Sequence, residues 1–214
     1  MANTRLWKDS RESGCNSALQ KLDDDGLTPE CQRMLGALIV YAGTFERLIE
    51  LAAWAVLEVP EVAGTRPKTD KGQISEIIRS IERRTKARSG NLGTAIDLTC
   101  AAATDLLAYR NAIAHGWLMP SNEGRPYFLS NVSFHSEIRG RPRQDAHISQ
   151  PLLEMAVDSA FSLCFAARRI HLCCSGHDAF NADAMSDFVK PLQRAASQAR
   201  ELKNLTALDS SERN

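Results

Sequence analysis

An arginine and a histidine five residues apart are the side chains of this sequence best suited to chemistry. They lie in residues 107–116, which read LAYRNAIAHG and place Arg110, Asn111 and His115 close together. A guanidinium matches the oxygens of a phosphate, and an imidazole exchanges protons near neutral pH. Asn111 adds an amide that could orient either group. We therefore take Arg110, Asn111 and His115 as candidate catalytic residues.

The helical context of this segment carries more information than its spacing. With 19 Arg and 5 His in the chain, chance alone gives about 0.4 Arg-x4-His pairs. On a helical wheel, however, Arg110 falls inside the apolar stripe, while Asn111 and His115 lie on a polar edge beside it. The stripe that we expect to face the core consists of Ile96, Cys100, Ala103, Leu107 and Ala114.

An arginine that faces a core must be compensated, because an isolated buried charge is very costly. The partner could be a carboxylate, an interface, or a groove that binds an anion. Two purely structural interpretations stay open. Arg110 could form an ion pair with Glu46 or Glu50 of the first long helix, and His115 could cap the end of its own helix.

At Arg110–His115 the sequence resembles the HEPN superfamily, helical bundles whose signature is an arginine, a polar residue and a histidine at the end of an inner helix. The resemblance implies a metal-independent endoribonuclease that acts as a homodimer on RNA, without a cofactor. Arg110 would then hold the scissile phosphate, His115 would transfer protons to and from the 2′-hydroxyl, and Asn111 would orient either. A toxin or a defence effector, with an antitoxin or regulatory protein as a further partner, would fit such an activity.

One position departs from the pattern of some toxins in that superfamily. They carry a tyrosine two residues after the histidine, and a partner antitoxin nucleotidylates it. This chain has Trp117 there, which offers no hydroxyl. The alternatives to a ribonuclease are a catalytically silent bundle of the same type that binds nucleotide or a protein partner, and a scaffold without a ligand.

Clusters of basic residues could guide RNA towards such a site. Residues 66–88 hold eight basic against three acidic residues, including Arg83 and Arg84, although such a run is usually a solvated face. With Arg139, Arg141 and Arg143 we expect Arg83 and Arg84 to form an RNA-binding rim. Cys174 and His177 have a spacing that zinc ligands use, but no second ligand pair is evident, so no metal site is predicted.

The elements that would position these residues are mainly helices. Thr28 and Pro29 open the first long helix, Gly116 ends the one that carries Arg110, and Ser149 with Pro151 opens the fourth. The fold class is all-α: a HEPN-like bundle of about five helices, with a small β-hairpin after the third main helix. The predicted elements are a short helix near 15–22, a long helix that begins at Pro29 and is ended by Pro60 and Gly64, helices at 73–86, 94–115, 150–176 and 181–205, and a hairpin of 117–119 against 127–130.

Composition excludes several classes of protein. The 214 residues hold 26 basic and 26 acidic side chains, so no overall positive field attracts nucleic acid, and any contact with it must be local.

Residues 1–27 are predicted as a polar arm, 28–206 as the bundle and 207–214 as a tail. The longest apolar run is too short for a bilayer, and no secretory signal or C-x-x-C pair occurs, which together predict a cytoplasmic protein with no membrane association.

Overall fold

The computed structural model describes residues 14–59, 72–86, 88–120, 126–130, 144–176 and 186–208. Helix α1 covers residues 14–24. The other elements are α2 (Pro29–Val56), α3 (Ile74–Thr85), α4 (Gly90–Ala114), β1 (Trp117–Met119), β2 (Tyr127–Ser130), β3 (Gln144–His147), α5 (Gln150–Cys174) and α6 (Ser186–Leu208). The protein is thus an all-α bundle with a small β excursion, as the sequence predicts.

Local capping explains where the long helices begin. Thr28 Oγ1 accepts a hydrogen bond from the Cys31 N–H at 3.3 Å, and Ser149 Oγ accepts one from the Leu152 N–H at 3.4 Å. A proline in the first turn follows each cap, where its missing N–H costs nothing. Both predicted starts are confirmed.

The predicted start of α4 at Thr94 is wrong, because the helix begins at Gly90. Thr94 Oγ1 donates to the Gly90 carbonyl at 3.1 Å, so its hydroxyl bonds back into the first turn and does not cap it. Gly90 has a φ of +84°, and a Cβ on Gly93 would collide with the Arg88 carbonyl. Gly90 and Gly93 therefore belong to the first turn of α4, where they let the chain turn sharply into the helix. They are not part of the loop before it.

Helix α4 is the central element of the bundle. It contacts α2, α3, α5, α6 and two strands, and its buried residues lie on most of its girth. Helix α2 packs chiefly along α5, and Ile39 and Val40 remain exposed on its outer side. Within the described ranges, no helix combines the length and apolar character that a bilayer crossing requires.

A three-stranded antiparallel sheet lies against the C-terminal end of α4, in the order β1-β2-β3. The hairpin of β1 and β2 is confirmed, with Trp117 opposite Leu129 and Met119 opposite Tyr127. Strand β3, opposite β2, was not predicted, because its sequence Gln-Asp-Ala-His is poor in β-branched and aromatic residues. The sheet closes over the helix end that carries the candidate site.

Candidate functional site

The end of α4 is fixed by the sheet that follows it. The buried Tyr109 hydroxyl donates to the His147 carbonyl at 2.9 Å, and burial raises the pKa of this phenol above its usual range. Gly116 lies so close to β2 that an added Cβ would stand 2.8 Å from the Phe128 Cβ. The backbone between Tyr109 and Gly116 is therefore held at both ends.

Arg110 lies between α4 and α2 and is engaged by two partners. Its Nη2 donates to Glu46 Oε1 at 2.7 Å, and its Nη1 donates to Asn111 Oδ1 at 2.8 Å. The Arg110 side chain is 19% exposed and that of Glu46 is 37% exposed. The carboxylate partner that an inward-facing arginine requires is therefore Glu46, whereas Glu50 pairs with Arg47.

The guanidinium still has unused donors. Its Nε is buried and has no hydrogen-bond partner in the described part of the chain. Each terminal nitrogen carries a second hydrogen besides the one used for Glu46 or Asn111. An unsatisfied buried donor is unusual, so Arg110 is compensated in charge but not in hydrogen bonding.

His115 stands at the open end of the same helix. It is the C-terminal cap residue of α4, its backbone N–H bonds to the Asn111 carbonyl at 3.0 Å, and its side chain is exposed. Asn111 is exposed as well, whereas Ala114, which the helical wheel assigns to the core, is exposed because α4 ends there. Arg110, Asn111 and His115 thus share one helix end, with the arginine partly enclosed and the histidine accessible to a ligand.

The predicted basic rim is only partly described. Arg139, Arg141 and Arg143 lie outside the described residues. Arg83 and Arg84 lie on the exposed side of α3, and Arg84 approaches Glu58 at 3.9 Å. Glu58 lies two residues beyond the end of α2, and the ten residues from Glu46 to Val56 span about 15 Å of helix. The structure therefore does not place Arg83 and Arg84 beside Arg110.

The candidate zinc ligands do not form a group in the described part of the chain. Cys174 Sγ accepts from Arg88 Nη1 at 3.5 Å, burial raises the pKa of this thiol, and His177 lies outside the described residues. Among the described residues, no cluster of three His, Cys, Asp or Glu could hold a metal.

A second ion cluster on α4 went unpredicted. Asp105 is buried and accepts from Lys203 Nζ of α6 at 2.6 Å, with Arg200 Nε at 3.8 Å. No local sequence pattern predicts this cluster, because Asp105 and Lys203 are 98 residues apart in the chain.

Neither a protein-family model, nor a curated protein, nor a solved structure matches this chain. Its function must therefore be inferred from the geometry of the helix end itself.

Proposed function

We propose that the Arg110 end of α4 is the active site of a metal-independent endoribonuclease of the HEPN type. The observation that carries this proposal is the incomplete bonding of Arg110, whose guanidinium keeps unmatched donors in the described part of the chain, at the helix end where His115 is exposed. A phosphate oxygen is a suitable acceptor for such donors. Asn111, already bonded to Arg110, fixes one edge of the guanidinium plane.

In the proposed reaction, Arg110 binds the scissile phosphate of RNA and His115 acts on protons. The 2′-hydroxyl loses its proton and its oxygen bonds to phosphorus. The bond between phosphorus and the 5′-oxygen breaks, and that oxygen takes up a proton. The products are a 2′,3′-cyclic phosphate and a 5′-hydroxyl. Proton transfer by a positioned imidazole typically contributes about 10²–10⁴-fold to a rate.

The proposed active species is a homodimer in which Arg110 of one protomer meets His115 of the other. Five residues turn an α-helix by about 140°, so one copy cannot present both side chains squarely to one phosphate. The burial difference between the two residues agrees with this, because Arg110 points towards α2 while His115 points outward. A two-fold axis beside the helix end would bring Arg110 of one protomer close to His115 of the other.

In the cell, cleavage of RNA by such a site would arrest growth, as expected for a toxin or a defence effector with an antitoxin or regulatory partner. Trp117 is exposed beside the site and has no hydroxyl, so modification of a tyrosine there does not apply to this chain. A cytoplasmic location belongs to the same proposal.

The test is cleavage of mixed RNA by the purified protein in excess chelator. We expect activity to persist and the new 3′ ends to carry cyclic phosphate. Loss of activity in EDTA with rescue by a divalent ion would contradict the mechanism. A Glu201→Gln variant is a control that should keep the parental activity, since this exposed side chain lies on α6, outside the site.

The second candidate function is a catalytically silent bundle that binds nucleotide or a protein. The ion pair with Glu46 favours it, because a carboxylate already occupies part of the arginine. RNA or nucleotide binding that depends on Arg110, with no cleavage under any condition, would support this function over the first.

A further inference from the structure

The outer side of α5 carries a regular stripe of exposed residues. Glu154, Asp158, Phe161, Phe165 and Arg168 follow one another at alternating intervals of four and three, and all five are exposed. This is the heptad spacing with which one helix packs along another. No segment in the described part of the bundle buries these five side chains.

The centre of the stripe is aromatic. Phe161 and Phe165 are 44% and 47% exposed, and their ring centroids lie 4.9 Å apart in an edge-to-face arrangement. Tyr41 of α2 extends the row, 5.4 Å from Phe161. A groove of about 460 Å³ between α2 and α5 adjoins these rings and is lined in part by Met34 and Val157.

Val40, next to Tyr41 in the chain, is 66% exposed on the outer side of α2. Exposed rings with charged side chains on either side are typical of a protein-protein contact.

The charges on α5 identify the partner. Along the stripe, acidic Glu154 and Asp158 precede the rings and basic Arg168 follows them. A two-fold axis midway between Phe161 and Phe165 is also midway between Asp158 and Arg168. Two antiparallel copies of α5 would therefore place each Phe161 against a Phe165, and each Asp158 against an Arg168. The surface is complementary to itself.

We propose that this face binds a second copy of the same chain, with α5 packed antiparallel to α5 about that axis. A stable interface needs about 800 Å² from each partner, more than one stripe supplies, so residues that border the stripe, such as Tyr41, take part. The Asp158 carboxylate lies 3.8 Å from Arg194 of α6, an exposed pair that leaves it free to contact a partner's guanidinium.

This interface is separate from the proposed catalytic one. Helix α2 contacts α5 through Tyr41, whose carbonyl accepts from Cys164 Sγ at 3.3 Å, and it contacts Arg110 through Glu46. Tyr41 and Glu46 are five residues apart, or about 140° around α2. The α5 stripe and Arg110 therefore lie on different flanks, and the inference does not depend on the ribonuclease proposal.

The test uses two charge reversals, Asp158→Arg and Arg168→Asp, in the full chain. In a dimer of either variant alone, positions 158 and 168 of the two copies carry like charges at both symmetric contacts. We therefore expect the dissociation constant of this dimer to rise about tenfold or more. An equimolar mixture of the two variants restores opposite charges at both places. We therefore expect heterodimers in the mixture, measured by sedimentation velocity at low ionic strength.

Controls separate this outcome from unfolding. Glu76→Arg reverses an exposed charge on α3, a helix that packs on α2 and α4, and should leave association unchanged. Helical circular dichroism should be the same for all variants. Dimers formed at the Arg110 helix end should persist in every variant and are a separate association step. A wild-type chain with no association step that Asp158→Arg and Arg168→Asp weaken would overturn the proposal. Mixtures that associate no better than the single variants would overturn the antiparallel register.

Discussion

Helix α4 carries two charged regions that differ in how completely their charges are matched. At Asp105 the buried carboxylate, with its side chain 10% exposed, faces two cations of α6, Lys203 and Arg200. At Arg110, one turn and a half further on, a single carboxylate faces the guanidinium and a buried N–H stays unused. The first region is closed and holds two helices together. The second leaves a donor of the guanidinium unmatched in the described part of the chain, and the proposed phosphate contact would use it.

The largest expected effect separates function from stability at the Arg110 region. Arg110→Ala should lower RNA cleavage about 10²–10³-fold, because it removes the group that binds the transferring phosphate. The melting temperature should change little, since Glu46 is exposed enough to be hydrated.

Arg47→Ala is a matched control for that variant, because Arg47 is a paired arginine on α2 that lies outside the site. Arg110→Ala that cleaves like the parent, or that unfolds, would show that the arginine is a structural residue.

The closed region should behave in the opposite way. Asp105→Asn removes the charge that Lys203 and Arg200 surround, so the free energy of unfolding should fall by about 1–3 kcal/mol. Urea denaturation measures this loss. Cleavage per folded molecule should stay within a factor of two or so of the parent. A much larger loss of activity would mean that the two regions are not separate.

A pH series tests the packing of α4 at another buried position, Cys100, which lies one turn and a half before Asp105. Burial raises the pKa of Cys100 from 9.0 to about 12. In the unfolded chain the thiol ionises first, so its contribution to stability is complete below about pH 9 and is lost as the pH rises towards 12.

Urea midpoints from about pH 8 to about pH 11 should therefore fall less steeply for Cys100→Ala than for the parent. Cys15→Ala, at an exposed thiol, should leave the slope unchanged. Equal slopes for all three proteins would show that Cys100 is not buried as described.

The smallest expected effect concerns the competition for Arg110. Glu46→Gln removes the charge that holds Nη2, and RNA affinity should rise about threefold, as the free energy of a partly exposed ion pair suggests. Fluorescence anisotropy in a His115→Ala background measures binding without cleavage. Glu50→Gln is the control, one turn along α2 and paired with Arg47. Weaker RNA binding by Glu46→Gln would mean that Glu46 positions the arginine for its ligand.

Much of this fold can be predicted from the periodicity of apolar residues and from helix-capping residues. The caps at Thr28 and Ser149 and the hairpin of β1 with β2 follow from local residues, and the structure confirms each. Strand β3 has no propensity of its own and depends on β2. Thr94 was misread as a cap, because a hydroxyl in the first turn can equally bond back to Gly90.

Some features of the candidate site can likewise be predicted from local sequence, and others depend on tertiary packing. The inward direction of Arg110 follows from helical periodicity, and so does the need for a carboxylate such as Glu46. The choice of Glu46 over Glu50 does not, because it depends on how α2 lies against α4. The match of Asp105 with Lys203 likewise depends on tertiary packing.

The central claim is that Arg110 and His115 of two protomers form one RNA-cleaving site. It is tested most directly by mixing Arg110→Ala with His115→Ala, each inactive alone, after joint refolding so that protomers exchange. Half of the dimers are then mixed, and each has one intact composite site of two, so about a quarter of the parental activity should return. A mixture no more active than its components would contradict the composite site.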